Sequence, residues 1–305
     1  MHVIMGGRGA VGQAVCNTLE AQGRAFAAPS SREADARDAD GLSRACEGAD
    51  AIINCIGLPY TAKAWRRGWP KVAQACATAA ERTGARLVFL DNIYMYGPAP
   101  LEVPITEDHP QSPPSRKGKT RKVVADTLLE AHAAGRAQVV IGRSADFYGP
   151  GAPNSLLYAS FLERMVAGKP PLLLMTPTAR HTFSYAPDIA RALIRLADDP
   201  GAAGRAWHLP VGPAAALETW VDRFNGLLGT DFSATYLPPL ASAVLGWLSP
   251  IVREAHEMRY QFDSDYVVSD TDFRERYPDF EVTSYDDGAA ATLDWAKAEA
   301  RGRAR

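Results

Sequence analysis

The first dozen residues constrain this chain more than any others. His2-Val3-Ile4-Met5 is a short apolar run that leads into Gly6-Gly7-Arg8-Gly9-Ala10-Val11-Gly12. Glycine falls at positions 6, 9 and 12, and Val11, Val15 and Leu19 follow at helical spacing. A strand that turns tightly into a helix needs a residue without Cβ at the bend. A second glycine lets the backbone approach a pyrophosphate, and a third lets the helix pack close to the strand. The helix end then presents free N–H groups and a partial positive charge to the phosphates. A glycine triplet alone is a weak signal. Between a strand and an amphipathic helix it predicts a dinucleotide site over Gly6, Gly7, Arg8, Gly9, Ala10, Val11 and Gly12. The competing reading is a purely structural turn.

The totals narrow the class. A chain of 305 residues can bury a large core in one or two domains. A net charge of −2 gives no argument for nucleic acid or an anionic membrane as a partner. Cys16, Cys46, Cys55 and Cys76 show no metal or CxxC spacing, and each falls in an apolar pattern. Buried thiols in a reducing compartment are expected, with no metal site. The most apolar stretch, residues 237–252, is interrupted by Pro238, Pro239 and Pro250 and is shorter than the ~20 residues of a membrane span. No signal peptide fits, because the first strand starts at residue 2. These features predict a soluble, cytoplasmic protein with a small-molecule substrate. A homodimer is considered, and the sequence leaves the oligomeric state open.

Strands alternate with helices over the first 150 residues. Strands are expected at 25–28, 51–57, 86–90 and 138–141, with helices at about 65–83 and from 116 onward. This alternation predicts an α/β fold, a Rossmann-type doubly wound parallel sheet. After Pro150 the rhythm is lost, and a smaller, interleaved α+β substrate lobe is expected. The predicted division is 1–150 with about 180–212 for the dinucleotide domain, about 151–179 with 213–300 for the lobe, and 301–305 as a frayed tail.

The end of the second strand selects the cofactor. An acid there binds the ribose hydroxyls of NAD. Counting along the strand places Ser30 in that slot, followed by Ser31 and Arg32, with no acid. Two hydroxyls and an arginine, with Arg8 in the glycine loop, suit a 2′-phosphate and predict NADP in preference to NAD. Loop arginines that are merely solvated are the alternative.

The order of motifs resembles the extended and atypical short-chain dehydrogenase/reductases, also called the NAD-dependent epimerase/dehydratase family. The matching pieces are Gly6-x-x-Gly9-x-x-Gly12, Asn54-Cys55-Ile56-Gly57, Tyr96-Gly97, Arg143 through Tyr148-Gly149-Pro150, and Phe183-Ser184-Tyr185-x-x-Asp188. The resemblance runs from residue 2 to about 212. It implies cofactor contacts from Asn54, Cys55, Ile56, Gly57 and Phe147, and substrate contacts from Asp146, Tyr148 and His181. Asp188 is expected to cap or orient the helix it begins.

The catalytic positions depart from the family pattern. The usual Ser or Thr, four residues before the Tyr of the Tyr-Gly pair, is Asn92. The usual Tyr-x-x-x-Lys falls on Lys117-Gly118-Lys119-Thr120-Arg121. Arg121 is expected to keep the lysine's contact with the cofactor ribose. Lys117, beside it, is expected to face the cofactor and transfer a proton. Asn92 could donate a hydrogen bond to a substrate carbonyl, and Tyr94 could offer a phenol from another direction. A solvated basic helix start is the bland alternative. Three functions are compatible with these residues. One is an NAD(P)(H)-dependent oxidoreductase acting on a small carbonyl, enone or sugar-like substrate. Another is a non-redox isomerase, lyase or cyclase with a structural dinucleotide. The last is a non-enzymatic NADP-sensing protein.

Overall fold

The structure is a computed structural model that describes residues 1–173, 176–236, 254 and 256–303. Six parallel strands form the central sheet. β1 (His2–Met5) lies between β2 (Phe26–Ala27) and β3 (Ala51–Asn54), followed outward by β4 (Arg86–Asn92), β5 (Val139–Ser144) and the edge strand Ala206–His208. The inner strands are continuous apolar runs, as a sheet covered on both faces requires. β1 and β3 leave the sheet in register, Met5 opposite Asn54, at the point where the strand order reverses. A crevice at such a switch point is where ligands bind in doubly wound sheets.

The helices α1 (Ala10–Ala21), α2 (Ala39–Ala45), α3 (Ala62–Thr83) and α4 (Arg116–Ala133) connect these strands. One face of the sheet packs on α3 and α4 through Trp69, Val72, Val124 and Leu128. The other packs on α1 and the helix Ala186–Asp198 through Val15, Leu19, Ile189 and Leu193. Thr61 caps α3 by accepting the Ala64 amide, and the left-handed Gly84 ends it. Ser115 accepts the Gly118 amide to start α4.

A second core lies outside the sheet and is largely aromatic. Tyr148, Phe161, Phe183, Trp220, Phe224 and Tyr285 pack together there. From the segment 271–280, Phe273 and Tyr277 join the core that holds Ile189 and Leu193, and Arg276 pairs with Asp199. Asp188, expected to cap or orient its helix, makes no N-cap bond, and the helix starts at Ala186 after Tyr185. Its buried carboxylate accepts from the Thr283 amide at 2.7 Å and the Thr283 hydroxyl at 2.8 Å, tying the later chain to the sheet.

All four cysteines are buried and unpaired. Among the described residues no helix is long and apolar enough to cross a membrane. The apolar stretch 237–252 lies outside the described residues, as do positions 174 and 175.

Candidate active site

The glycine turn is built as its spacing requires. Gly6 adopts φ +80°, and a Cβ there would lie 2.7 Å from the Cys55 carbonyl oxygen. A Cβ on Gly12 would overlap the Gly6 carbonyl, so α1 can approach β1 only with glycine at 12. Gly9 caps α1 without a side-chain acceptor. The first-turn amides of Ala10, Val11 and Gly12 therefore point along the helix axis without an intrahelical partner. Gly151, at φ +77°, brings the loop after Tyr148 to the same helix end, where its Cβ would be 3.6 Å from the Ala10 Cα. These residues fit the diphosphate of a dinucleotide. Phe147 sits at the rim of this crevice with 36% of its surface open. Cys55 and Asn54 are buried at the end of β3, and the two polar side-chain atoms of Asn54 have no partner among the described residues.

The loop after β2 holds an acid that counting along the strand missed. The Ser30 amide and hydroxyl both donate to Glu33 Oε2 at 2.7 Å. These bonds hold the exposed Glu33 carboxyl below the usual carboxylate range, with a smaller contribution from the Arg8 charge. The Ser-x-x-Glu spacing of residues 30–33 carried the signal, because it is the pattern of a capping box. Ser31, Arg32 and Arg8 remain exposed.

The opposite wall is formed by the loop after β4 and the start of α4. Lys117 and Arg121 are four apart and share one helix face, but that face turns inward. Arg121 is 2% exposed, and its Nε donates to Asp91 Oδ1 at 2.6 Å. Its guanidinium carbon lies 4.1 Å from the centre of the Trp69 ring. Arg121, expected to contact the cofactor ribose, is thus enclosed and paired with Asp91. A carboxylate buried at the end of β4 needs a compensating cation, and α4 supplies it. Asp91 stands one residue before Asn92, where motif counting passed over it.

Lys117 departs from expectation in the same way. It is fully buried, and its ammonium pairs with Glu254 and, at 3.2 Å, with Glu257 Oε2. It also donates to the Glu254 carbonyl at 3.1 Å and lies 4.6 Å from the centre of the Tyr60 ring. Two carboxylates from a distant part of the chain, with no recognisable motif around them, draw it away from Arg121. Gly118 permits this packing, because a Cβ there would overlap the Tyr94 carbonyl.

Asn92 turns its Oδ1 back to accept the Tyr94 amide at 3.1 Å, which shapes the loop. Tyr94 lies on Trp65, ring centres 5.9 Å apart and planes at 15°, and its hydroxyl is 3.3 Å from that of Tyr60. Burial pushes the Tyr94 phenol well above its ordinary value. Tyr60 and Trp65 were not foreseen; only the fold brings the end of the 51–57 segment alongside the loop after β4. Nearby, Ser115 Oγ is 3.4 Å from the Tyr260 hydroxyl.

Of the expected substrate residues, Asp146 lines this wall, and the other two are in the core. Burial pushes the Asp146 carboxyl up to about 6. His181 is 1% exposed and stacks on Phe262 with ring centres 5.4 Å apart; burial pushes it down to about 4. Tyr148 is enclosed by Tyr185, Trp220 and Tyr285. Side-chain alternation would put 146 and 148 on one face of the strand, so their difference comes from where the strand runs. The short strand Asp146–Tyr148 pairs with Phe183–Tyr185 and hands Tyr148 to the aromatic core. Among the described residues, no group of three or more His, Cys, Asp or Glu is placed to hold a metal.

Residues 2–212 match the NAD dependent epimerase/dehydratase family. The chain belongs to this family. A dTDP-4-dehydrorhamnose reductase of Mycolicibacterium smegmatis is 24% identical over 212 residues, covering 65% of this chain and 62% of that protein. A dTDP-6-deoxy-L-talose 4-dehydrogenase (NAD(P)(+)) of Kitasatospora kifunensis is 30% identical over 131 residues, 41% of either chain. The chain thus spans less than two thirds of the length of these relatives. A dTDP-glucose 4,6-dehydratase from Streptomyces venezuelae, a double mutant with NAD and DAU bound, superposes with a TM-score of 0.79. It covers 99% of this chain and 98% of its own at 18% identity. At that identity the likeness concerns the fold. Within this NAD dependent epimerase/dehydratase fold, the two positions expected to carry the Tyr and Lys of the family hold cations committed to buried carboxylates.

Proposed function

We propose that the protein is an NAD(P)(H)-dependent oxidoreductase, a reductase, dehydrogenase or epimerase-like enzyme. Its substrate is a small organic carbonyl, enone or sugar-like compound, and its proton-transfer group is atypical. One observation carries this reading. The uncapped helix end at Gly9–Gly12 follows β1, Tyr60 and Tyr94 follow β3 and β4, and Asp146 follows β5, so all stand at the C-terminal edge of one parallel sheet. When bound, a nicotinamide dinucleotide supplies or accepts a hydride. The chain's own residues bind and orient. The amides of Ala10, Val11 and Gly12 take the diphosphate, and the phenols of Tyr60 and Tyr94 direct the substrate oxygen. The dTDP-sugar reductase and dehydrogenase among its relatives support a sugar-like substrate.

Arg8, Ser31 and Arg32 favour NADP over NAD, with Glu33 acting against them by occupying Ser30. Purified protein mixed with NADPH or NADH and a panel of carbonyls, enones and keto-sugars tests the proposal. Oxidation of the cofactor with at least one class is expected. Tight dinucleotide binding with no oxidation across the panel would count against redox turnover.

A further inference from the structure

Proton transfer has no owner at its expected positions. Lys117 is paired with two carboxylates, Arg121 is paired with Asp91, and Asn92 is bonded to its own loop. A group is therefore needed that is free, faces the crevice and changes protonation near neutral pH. Asp146 has these properties. It follows β5 by two residues, next to the loop after β4, since Asn92 and Ser144 are paired in register and Ala145 packs with Ile93 and Met95. Its carboxylate has no hydrogen-bond or ion-pair partner among the described residues, and it retains some exposure. The titratable groups that face it are phenols from three parts of the fold. They are Tyr60 ahead of α3, Tyr94 after β4, and Tyr260 and Tyr266 from the later chain, each raised by burial and further by the Asp146 charge.

We propose that Asp146 is the acid and base of the reaction, with the Tyr60 and Tyr94 hydroxyls holding the substrate oxygen beside it. In reduction, hydride arrives at the carbonyl carbon and the C=O π pair moves to oxygen. The oxygen takes the proton of the Asp146 carboxylic acid, leaving an alcohol, an oxidised dinucleotide and the Asp146 carboxylate. Solvent then returns a proton to Asp146. In the reverse direction the carboxylate removes the alcohol proton. The phenols are poor bases here because burial keeps them protonated, and the nearest cation, Lys117, lies against the Tyr60 ring and is neutralised by Glu254 and Glu257. A carboxyl that burial raises to about 6 is half charged at about pH 6, far nearer the working pH of a general acid and base than an ordinary carboxyl. This assignment rests on the redox reading above.

The test compares the wild type with Asp146→Asn and Asp146→Glu. Without any dinucleotide, carbon-13 NMR of labelled aspartate should show one carboxyl titrating near 6 in the wild type and missing from Asp146→Asn. With cofactor and substrate, Asp146→Asn should lose roughly 10²–10⁴-fold in kcat. It should also lose the pH limb near 6, while its dinucleotide Kd stays within threefold. Asp146→Glu should restore part of kcat. An unmodified Kd also shows that the variants fold. Wild-type turnover with an Asp146→Asn variant of unchanged kcat and pH profile would overturn the assignment alone, as would an Asp146 carboxyl titrating near 4. A wild type that binds dinucleotide yet oxidises none of it across the panel would overturn the redox reading and this proposal together.

Discussion

Arg121 places its Nε 2.6 Å from Asp91 Oδ1, in a site closed by the face of Trp69. The pair stands behind the loop after β4, and Arg143 approaches the other Asp91 oxygen at 3.9 Å. It fixes where β4 ends and where α4 begins. Removing one member of a buried pair leaves the other charge uncompensated. Arg121→Met is therefore expected to lower unfolding free energy by about 3–5 kcal/mol in urea denaturation. Dinucleotide affinity of the folded fraction should change less than threefold. A stable variant with strongly weakened cofactor binding would return Arg121 to the ribose role.

The glycine turn gives a sharper effect on binding than on folding. A methyl group at position 12 would overlap the Gly6 carbonyl and push α1 away from β1. Gly12→Ala is expected to weaken NADPH binding at least tenfold, about 1.4 kcal/mol, by titration calorimetry. Gly48→Ala is the control. Gly48 has positive φ and nothing within 4 Å of its Cβ, so its cost should appear in stability and leave affinity unchanged.

Under the proposed function, Glu33 is expected to set the balance between the two dinucleotides. Its carboxylate occupies both donors of Ser30 and lies within reach of the Arg8 charge. Glu33→Gln removes a negative charge from the place where a 2′-phosphate would sit. The ratio of NADP to NAD affinity should rise several-fold, and Arg32→Ala should lower it by a similar factor. Equal ratios in all three proteins would exclude this loop from cofactor choice.

Two buried histidines make the fold sensitive to acid. His208 receives a hydrogen bond from Tyr96 at Nε2, 2.6 Å, and donates from Nδ1 to the Ser269 carbonyl at 2.8 Å. Burial pushes it down to about 3, and His181 down to about 4. The unfolded chain protonates both near 6.5, so it binds more protons than the folded chain below that pH. Stability should fall as pH drops from 6.5 towards 4, by at most ~1.4 kcal/mol per pH unit for each histidine. Asp146 acts in the opposite sense. Its folded value of about 6 exceeds its ordinary 3.8, so its contribution is greatest below 3.8 and is lost as pH rises through 6. Denaturant midpoints measured from pH 7 to 4 should therefore fall more steeply in Asp146→Asn than in the wild type. Parallel curves would contradict the assigned values.

The sequence by itself determined the dinucleotide end of the molecule. The glycines at 6, 9 and 12 and the apolar strands expected at 51–57 and 86–90 are local or periodic signals. Each is imposed by backbone geometry that operates within a few residues. The same logic correctly put Lys117 and Arg121 on one face of α4. Which way that face turned was decided by the tertiary structure. A cation goes to the nearest buried carboxylate, and Asp91, Glu254 and Glu257 come close only when the sheet is assembled and the later chain folds back onto it. Tyr60 and Tyr94, 34 residues apart, are brought together by the same assembly. Asp146 and Tyr148 differ in role because one strand end faces the crevice and then the aromatic core. Side chains placed by long-range charge and burial leave no spacing to read, so the candidate wall of Tyr60, Tyr94 and Asp146 appeared only once the chain was folded.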